Sequence, residues 1–301
     1  MTNIILDLDT GVDDTLALLY VLAEKDELNL LGVTSTFGNV ETATSARNSL
    51  TILDLFGRSD VPVFLGEKAP EGSDEYHVMP YIHRIHGRNG LGDVDFPVSL
   101  REPEAESAVS FLRRMIKTHP GSLTIVATGP MRNLAELYRK YPETVMIPHR
   151  VISMGGALTV EGNVTPVAEA NYYKDPRSAE YVFSLPIELI QIPLDVTERS
   201  HLRICDTKEW KSDRGDLIRR MTEFYIAFHE KPYCFLHDPS AVSAALHPEY
   251  FTYLTLPMKV TEDGRSVGDW MSGNPPKRVA VDVDTQKVER ELKQAWGRLL
   301  S

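Results

Sequence analysis

The sequence predicts an α/β protein, with an open, mainly parallel (mixed) sheet and helices on both of its faces. Three observations predict this class. Short apolar runs alternate with segments of helical spacing, 42% of the 301 residues are hydrophobic, and no linker, repeat or low-complexity tract divides the chain. Strands that alternate with helices along a chain form parallel sheets, whose two faces the helices cover. We therefore expect a single domain over residues 1–301.

The predicted strands are short apolar runs. The first of them ends in acidic residues and is typical of a strand that lies buried in a parallel sheet. In chain order, the predicted strands cover residues 4–8, 28–36, 61–65, 123–128, 150–154 and 188–192.

The predicted helices follow these strands. The first begins at Asp13 and Asp14, whose carboxylates suit the positive end of a helix, and it carries Leu16, Leu19 and Tyr20 at helical spacing. The later helices are predicted over residues 42–56, 104–118, a segment from 131, 176–183 and 213–229.

Two long segments, 67–100 and 155–174, have no clear periodicity. Loops of this length inside a compact domain are usually functional. In open α/β sheets, ligands bind beyond the carboxyl ends of the strands, which is where both segments begin. The sequence therefore predicts a functional site at that edge of the sheet.

Composition limits the partners and the compartment. A net charge of −11 argues against nucleic acid, because a phosphate backbone requires a basic surface. No apolar stretch has the length of a membrane span or a signal peptide. Two cysteines, Cys205 and Cys234, are too few for a disulfide framework and fit a reducing compartment. We expect a cytoplasmic protein that acts on a small molecule, with neither nucleic acid nor membrane as a partner.

Four carboxylates stand close together after the first strand, in the stretch Asp7-Leu8-Asp9-Thr10-Gly11-Val12-Asp13-Asp14. Asp13 or Asp14 alone would be explained as a helix cap. Four converging carboxylates repel one another unless a cation neutralises them. Oxygen ligands favour a hard cation, Ca²⁺ or Mg²⁺, over zinc. The stretch therefore predicts a metal site.

The same stretch has an alternative interpretation, a haloacid-dehalogenase-like phosphotransferase in which Asp7 would be the nucleophile. That class also requires a later lysine and a second acidic pair at a strand end. The sequence offers no convincing candidate for either, so we favour the metal site.

Short polar motifs follow the predicted strands and occupy the two long segments. They are Phe37-Gly38-Asn39, His86-Gly87-Arg88-Asn89-Gly90-Leu91-Gly92, Thr128-Gly129-Pro130-Met131-Arg132-Asn133, Met154-Gly155-Gly156, Glu161-Gly162-Asn163, Glu169-Ala170-Asn171, Asp175-Pro176 and His237-Asp238-Pro239. Together with the acidic stretch, their order and spacing resemble the inosine-uridine-preferring nucleoside hydrolase family over nearly the whole chain. The chain departs from the family pattern at Thr10, where a proline is usual, and at Ala170, where an aromatic is frequent.

The resemblance implies a Rossmann-like nucleoside hydrolase fold and hydrolysis of the N-glycosidic bond of ribonucleosides to free base and ribose. It implies that Asp9, Asp14, Asp238 and the backbone carbonyl of Thr128 hold Ca²⁺, with the ribose 2′- and 3′-hydroxyls and a water completing the shell. Asp9 would be the base that removes a proton from this water. Attack at the anomeric carbon would pass through an oxocarbenium-like state, as in glycoside hydrolysis.

The resemblance also assigns side chains to the nucleoside. The substrate-binding residues that it implies are Asp13, Asn39, His86, Asn163, Glu169 and Asn171. Asp13, Asn163, Glu169 and Asn171 would clamp the ribose, and His86 would line the base pocket. His237 would be the acid toward the departing base, because the usual pKa of histidine allows proton donation near neutrality.

The sequence indicates less about which nucleobase is preferred and about the oligomeric state. Trp210, Trp270 and Trp296 lie outside every motif, which argues against stacking of the base between indoles. Family members generally self-associate, so the resemblance implies a homo-oligomer, a dimer or a tetramer. A second alternative function is a non-catalytic nucleoside or ribose binder. Such a binder would lack a working base, whereas this chain retains Asp9 and His237.

Overall fold

The structure is a computed structural model, and it describes residues 1–229 and 231–301. The strands are β1 (Thr2–Leu8), β2 (Leu28–Ser35), β3 (Val63–Leu65), β4 (Leu123–Ala127), β5 (Arg150–Met154), β6 (Glu188–Ile192), β7 (His201–Arg203), β8 (Tyr233–Phe235), β9 (Phe251–Val260), β10 (Ser266–Gly268) and β11 (Pro276–Val283). The helices are α1 (Val12–Ala23), α2 (Thr42–Leu55), α3 (Ile82–His86), α4 (Ala108–Thr118), α5 (Arg132–Lys140), α6 (Ala170–Lys174), α7 (Pro176–Ser184), α8 (Leu194–Thr197), α9 (Asp213–Phe228), α10 (His237–Leu246) and α11 (Thr285–Leu300).

Nine of the described strands form one sheet, in the order β10-β9-β11-β6-β5-β4-β1-β2-β3. All neighbours from β3 to β11 pair in parallel, whereas β9 pairs antiparallel with both β11 and β10. β7 and β8 form a separate antiparallel pair. The mainly parallel, mixed sheet predicted from the sequence is confirmed.

The order of the strands reverses at β1. From β1 the chain builds outward to β2 and β3 on one side, and β4, β5 and β6 then extend the other side. Such a reversal leaves a crevice beyond the carboxyl ends of the two central strands, because the following loops diverge to opposite sides. Here the crevice lies beyond β1 and β4, the strands that precede the acidic stretch and the Thr128 motif.

Successive side chains of β1 point to opposite faces of the sheet and enter different cores. Ile4, Leu6 and Leu8 pack in the cluster that includes side chains of α1, α2, α10 and α11. Ile5 packs in the other cluster, with side chains of α4, α5 and α7. Because both faces of the strand are buried, its sequence is a nearly continuous apolar run. The helices therefore cover both faces of the sheet, as predicted.

The observed elements differ from the predicted ones at their ends and in the last third of the chain. The helix predicted from residue 104 begins at Ala108, because the hydroxyl of Ser107 accepts the Ser110 N–H (3.3 Å) as an N-cap. The two segments without periodicity contain α3 and α6, whose five residues each are too few to form a pattern. No element was predicted after residue 229, where β8–β11, α10 and α11 lie.

Candidate active site

A cavity opens beyond the carboxyl ends of β1, β4 and β5, and α6 and α10 also border it. Most of the predicted site residues line this cavity, namely Asp13, Asn39, His86, Thr128, Asn163, Glu169, Asn171, His237 and Asp238. The other two, Asp9 and Asp14, are fully buried beside it, and both accept hydrogen bonds from the Asn39 amide. The fold therefore brings together residues that lie more than 200 positions apart in the sequence.

Three carboxylates converge on one point of the cavity wall. Asp13, Asp14 and Asp238 each place one oxygen within 4.8 Å of the other two. Asp14 is fixed by three donors: the Thr128 hydroxyl reaches its Oδ1 (2.6 Å), and the Gly11 N–H (2.8 Å) and the Asn39 amide (3.2 Å) reach its Oδ2. Asp13, which the resemblance assigned to the ribose, thus joins two predicted metal ligands.

Asp9 lies on the other side of Asn39. Its Oδ2 accepts the Asn39 backbone N–H (2.7 Å), and its Oδ1 accepts the Asn39 side-chain amide (3.3 Å). Burial raises the pKa of Asp9 well above its usual value, and repulsion from Asp14 raises it further. Its role as a metal ligand remains a prediction, because the group of three converging carboxylates does not include it.

Glycines of two motifs allow the backbone to approach Asp9. A Cβ atom on Gly38 would lie 1.9 Å from Asp9 Oδ2. A Cβ atom on Gly129 would lie 3.1 Å from the Asp9 Cβ and 2.7 Å from the Thr36 Cγ2. Any larger residue at Gly38 would therefore displace either this loop or the Asp9 carboxylate that the following residue, Asn39, holds.

The converging carboxylates fit a bound cation. Asp13 Oδ1 is buried and has no hydrogen-bond partner among the described residues. Burial, with repulsion from Asp14, raises the pKa of Asp13 to about 7, and burial and the neighbouring acids raise that of Asp238 well above its usual value. A cation would relieve both the repulsion and the unpaired oxygen, and an all-oxygen donor set suits a hard one. Asp13, Asp14 and Asp238 can therefore hold a metal ion.

Apart from Asp13, which lies in α1, the predicted ribose residues belong to α6 and the loop before it. Glu169 caps α6, accepting the N–H groups of Asn171 (2.9 Å), Gly156 (2.9 Å) and Tyr172 (3.3 Å). The Asn171 amide donates to the Thr128 carbonyl (2.6 Å), the predicted metal ligand, which keeps a second lone pair. Exposed Asn163 lies at the mouth, where its Oδ1 accepts the Ala170 N–H (2.9 Å).

The two predicted histidines are buried and neutral. His86 Nδ1 accepts the Val12 N–H (3.2 Å), which leaves the ring proton on Nε2. Burial lowers the pKa of each to about 3. The argument that His237 keeps a near-neutral pKa therefore does not apply in this setting. His237 Nδ1 instead pairs with the Thr197 hydroxyl (2.8 Å), which leaves Nε2 as the ring nitrogen outside this contact.

Lys174 and His229, which no sequence motif marks, also line the cavity, and so does Tyr225. Lys174 stands three positions after Asn171 on α6, and its Nζ lies 3.6 Å from Asp9 Oδ2. Tyr225 donates to Asp13 Oδ2 (3.3 Å), and His229 packs edge-on against its ring. The signal for these residues was helical spacing, i to i+3 on α6 and i to i+4 from Tyr225 to His229. Without a known start for α6, that spacing could not be applied to Lys174.

Asp7 and the tryptophans lie away from the chemistry. Asp7 is fully buried, and its Oδ1 accepts from Thr34 (2.5 Å) and Asn133 (2.7 Å) rather than facing the cavity. The Trp210 and Trp296 rings pack edge-to-face in the core, and Trp270 is exposed. Among the described residues, none of the three tryptophans lines the cavity.

The protein family of the chain is identified by its sequence. The sequence model of the inosine-uridine preferring nucleoside hydrolase family matches residues 4–290. The chain belongs to this family. The resemblance found in the motifs is thereby confirmed, and so is the predicted fold.

Known members of this family align with the chain over nearly its full length. Uridine nucleosidase 1 of Arabidopsis thaliana is 34% identical, with 97% of this chain and 92% of the relative aligned. A solved purine-preferring ribonucleoside hydrolase from Gardnerella vaginalis has a TM-score of 0.95 at 39% identity, covering 99% of each chain. A solved plant nucleoside hydrolase has a TM-score of 0.93 at 30% identity, covering 100% of this chain and 99% of its own.

This family member is a ribonucleoside hydrolase, which confirms the predicted class of enzyme. Neither the phosphotransferase nor the non-catalytic binder is supported by the comparisons. No helix in the described ranges is both long and apolar enough to span a membrane.

Proposed function

We propose that this chain hydrolyses ribonucleosides with the help of Ca²⁺, with Asp9 as the base and His237 directed at the departing nucleobase. The observation that carries the proposal is one cavity that holds converging carboxylates on one wall and amides of α6 and its preceding loop on another. Such a pairing suits a neutral, hydroxyl-rich ligand that also contacts a cation.

The cation would be held by Asp9, Asp14, Asp238 and the Thr128 carbonyl. When bound, Ca²⁺ supplies the positive charge that orients the sugar diol and makes a neighbouring water more acidic. Asn39 spaces the acids, because its amide donates to both Asp9 and Asp14. Asp13, whose unpaired Oδ1 the cation would also satisfy, adjoins this ligand set and is the acid that the family resemblance assigns to a ribose hydroxyl.

Asp9 accepts the proton of the attacking water. Its carboxylate is held through Oδ2 by the Asn39 N–H (2.7 Å) and has little room to rotate, because Gly38 packs against the same oxygen. A fixed base avoids reorganisation when the proton moves. Burial keeps bulk water from competing for this carboxylate.

Glu169, Asn163 and Asn171 position the ribose. The Glu169 carboxylate is held by three backbone N–H groups, so its remaining lone pairs have a fixed direction toward the cavity. Site groups built to bind hydroxyls discriminate sharply against analogues that lack them, since the groups are then left unpaired. We expect 2′-deoxynucleosides to be poor substrates.

The departing nucleobase would lie on the side of the cavity that is lined by His86, Tyr225, His229 and His237. Because burial keeps His86 and His237 neutral, each can present one ring N–H and accept at the other nitrogen. With the Thr197 hydroxyl at Nδ1, His237 has Nε2 left for the departing base, to which it would donate a hydrogen bond. The names of the relatives cover uridine and purine nucleosides, so a test panel includes both.

The proposal is tested by following ribose release from inosine and uridine with and without Ca²⁺. Exhaustive chelation should abolish turnover, and added Ca²⁺ should restore it. Asp9→Ala should lose at least about 1,000-fold in kcat, because the base is gone, while nucleoside binding survives in weakened form, because Asp9 is also a proposed Ca²⁺ ligand. Equal rates in the chelated and the Ca²⁺-loaded enzyme would rule out the proposed chemistry.

Assembly and compartment are further parts of this proposal. The family resemblance supports a homodimer or homotetramer, which light scattering of the purified chain would measure. Two free cysteines, Cys205 exposed and Cys234 buried, support a reducing, cytoplasmic setting. Imaging of a tagged chain in its host tests this placement, and a secreted signal would contradict it.

A further inference from the structure

Lys174 is a buried cation with no part in the mechanism above. It ends α6 and lines the cavity, and its side chain is only 7% exposed. Its Nζ lies 3.6 Å from Asp9 Oδ2, which is ion-pair distance but longer than a hydrogen bond. Among the described residues that line the cavity, it is the one lysine or arginine.

The ionisable groups around Lys174 are mostly acids. Asp13, Glu169 and Asp238 line the same cavity, and Asp9 and Asp14 are buried beside it. Burial opposes the charge on the Lys174 ammonium, but the attraction of Asp9 above all outweighs it and raises the pKa of the lysine. The ammonium is therefore held mainly by Asp9, one of the proposed metal ligands.

This setting does not suit an anionic substituent on the substrate. A phosphate brought to Lys174 would also meet the carboxylates that line the cavity, and like charges at close range repel strongly in a buried site. The nearest charge to the ammonium is instead Asp9, whose second oxygen is already fixed by Asn39. The partner that the geometry gives Lys174 is thus the proposed catalytic base.

We infer that Lys174 is a built-in counter-ion and positioning residue for Asp9, and that its ammonium opposes divalent-cation binding at the acid cluster. This rests on the proposed function for the identity of the base. Two effects of opposite sign follow. Removing the lysine charge should destabilise the metal-free protein, because Asp9 loses its ion-pair partner. It should also strengthen Ca²⁺ binding, because a repulsion on the bound cation is lost.

The test uses the full chain, stripped of metal, and Ca²⁺ as the probe. Lys174→Met removes the charge at nearly constant length, and Lys174→Arg keeps it. Lys277→Met is the matched control, because Lys277 is also buried but bonds to the backbone carbonyls of Leu185 and Ile187. Calorimetry measures the Ca²⁺ dissociation constant, and thermal unfolding is followed without Ca²⁺ and at saturation.

We expect Lys174→Met to bind Ca²⁺ about tenfold more tightly at low salt, the order expected when a unit charge near a divalent ion is removed. Its melting temperature without Ca²⁺ should fall by more than about 3 °C, and saturation with Ca²⁺ should recover most of the loss. Its kcat at saturating Ca²⁺ should fall while KM stays within about twofold, because Asp9 is less well oriented. Lys277→Met should leave the dissociation constant unchanged, and Lys174→Arg should stay near wild type.

Ca²⁺ binding that is unchanged or weaker in Lys174→Met would overturn the inference. If Lys174 served only in packing, its replacement would lower the melting temperature both with and without Ca²⁺ and would not increase the affinity for Ca²⁺. Absence of Ca²⁺ binding in wild type and variant alike would overturn it too. If Lys174→Met does not fold, Lys174→Gln tests the same sign. A wild type that fails to cleave nucleosides, with the expected shift in Ca²⁺ affinity, would reject the proposed function and leave only the effect of the Lys174 charge on metal binding standing.

Discussion

Single polar side chains organise the acids of this site. Asn39 contributes one backbone and one side-chain donor, which together reach both oxygens of Asp9 and one oxygen of Asp14. Thr128 reaches the other oxygen of Asp14 through its hydroxyl, and its carbonyl accepts from Asn171. Asp9 and Asp14 are therefore oriented before any cation binds, which reduces the reorganisation that binding and proton transfer require.

His237 supports a prediction at this scale. A hydrogen bond to the leaving base matters for inosine and uridine, whose bases depart poorly, and matters little for a nitrophenyl riboside, whose leaving group needs no proton. His237→Ala should therefore lower kcat/KM for the nucleosides by about 100-fold or more and change that for the nitrophenyl riboside far less. Steady-state rates on both substrates measure this.

A matched histidine variant separates this effect from general damage. His247 caps the far end of the same helix α10 and stacks on Tyr250, outside the cavity. His247→Ala should leave both substrates nearly unaffected. Equal losses on both substrates in His237→Ala would remove that residue from its role toward the base.

At the scale of elements, the site depends on how closely the loop after β2 approaches the end of β1. The Gly38 backbone passes so near Asp9 that a Cβ would lie 1.9 Å from Oδ2. Gly38→Ala must therefore move either the loop or the carboxylate. We expect kcat/KM to fall by at least about 100-fold, because a misplacement of about 1 Å at a catalytic group has that order of effect.

Gly297→Ala is the control for Gly38→Ala. Gly297 lies in α11, and a Cβ there would meet nothing within 4 Å. This variant should keep full activity and gain up to about 1 kcal/mol in the free energy of unfolding, since alanine favours the helix. A crystal structure of Gly38→Ala with Asp9 unmoved, or wild-type activity in that variant, would contradict the expected coupling.

The elements that the sequence could predict are those with a pattern long enough to read. β5 and β6 were predicted with their observed bounds, because a buried parallel strand is a continuous apolar run bounded by polar residues. Asp9, Asp14 and Asp238 could be named as candidate metal ligands because each stands in a short motif. Lys174 was missed because α6 is only five residues long and its start depends on Glu169 accepting backbone N–H groups, which no periodicity reveals.

The strands β9 and β11 were not predicted, for a different reason. β9 is exposed or half-buried at Thr252–Leu256 and buried only near its ends, so it has neither a continuous apolar run nor a strict alternation. Its pairing with β11 joins residues on either side of the β10 hairpin, and only the assembled sheet supplies the neighbours that cover them. Tertiary contacts, rather than local sequence, stabilise this part of the fold.

For the molecule as a whole, stability against pH includes a contribution from a lysine far from the site. Lys277, in β11, is 1% exposed, and its ammonium donates to the carbonyls of Leu185 and Ile187, the latter at 3.1 Å. Burial lowers the pKa of Lys277 from 10.5 to about 8. The charged form is thus disfavoured in the folded state relative to the unfolded chain.

The sign of the pH dependence follows from these two values. Below pH 8 both states are protonated, and the cost of the buried charge is fully present; between pH 8 and 10.5 the unfolded chain holds more protons, so the free energy of unfolding rises with pH. Urea unfolding measures the free energy of unfolding of wild type and of Lys277→Met. Over that pH range, wild type should gain up to about 3 kcal/mol relative to the variant. Lys68→Met, at an exposed lysine, should give a nearly pH-independent difference. A flat difference for Lys277→Met would mean that its ammonium stays charged in the folded protein, with the two carbonyls compensating for its burial.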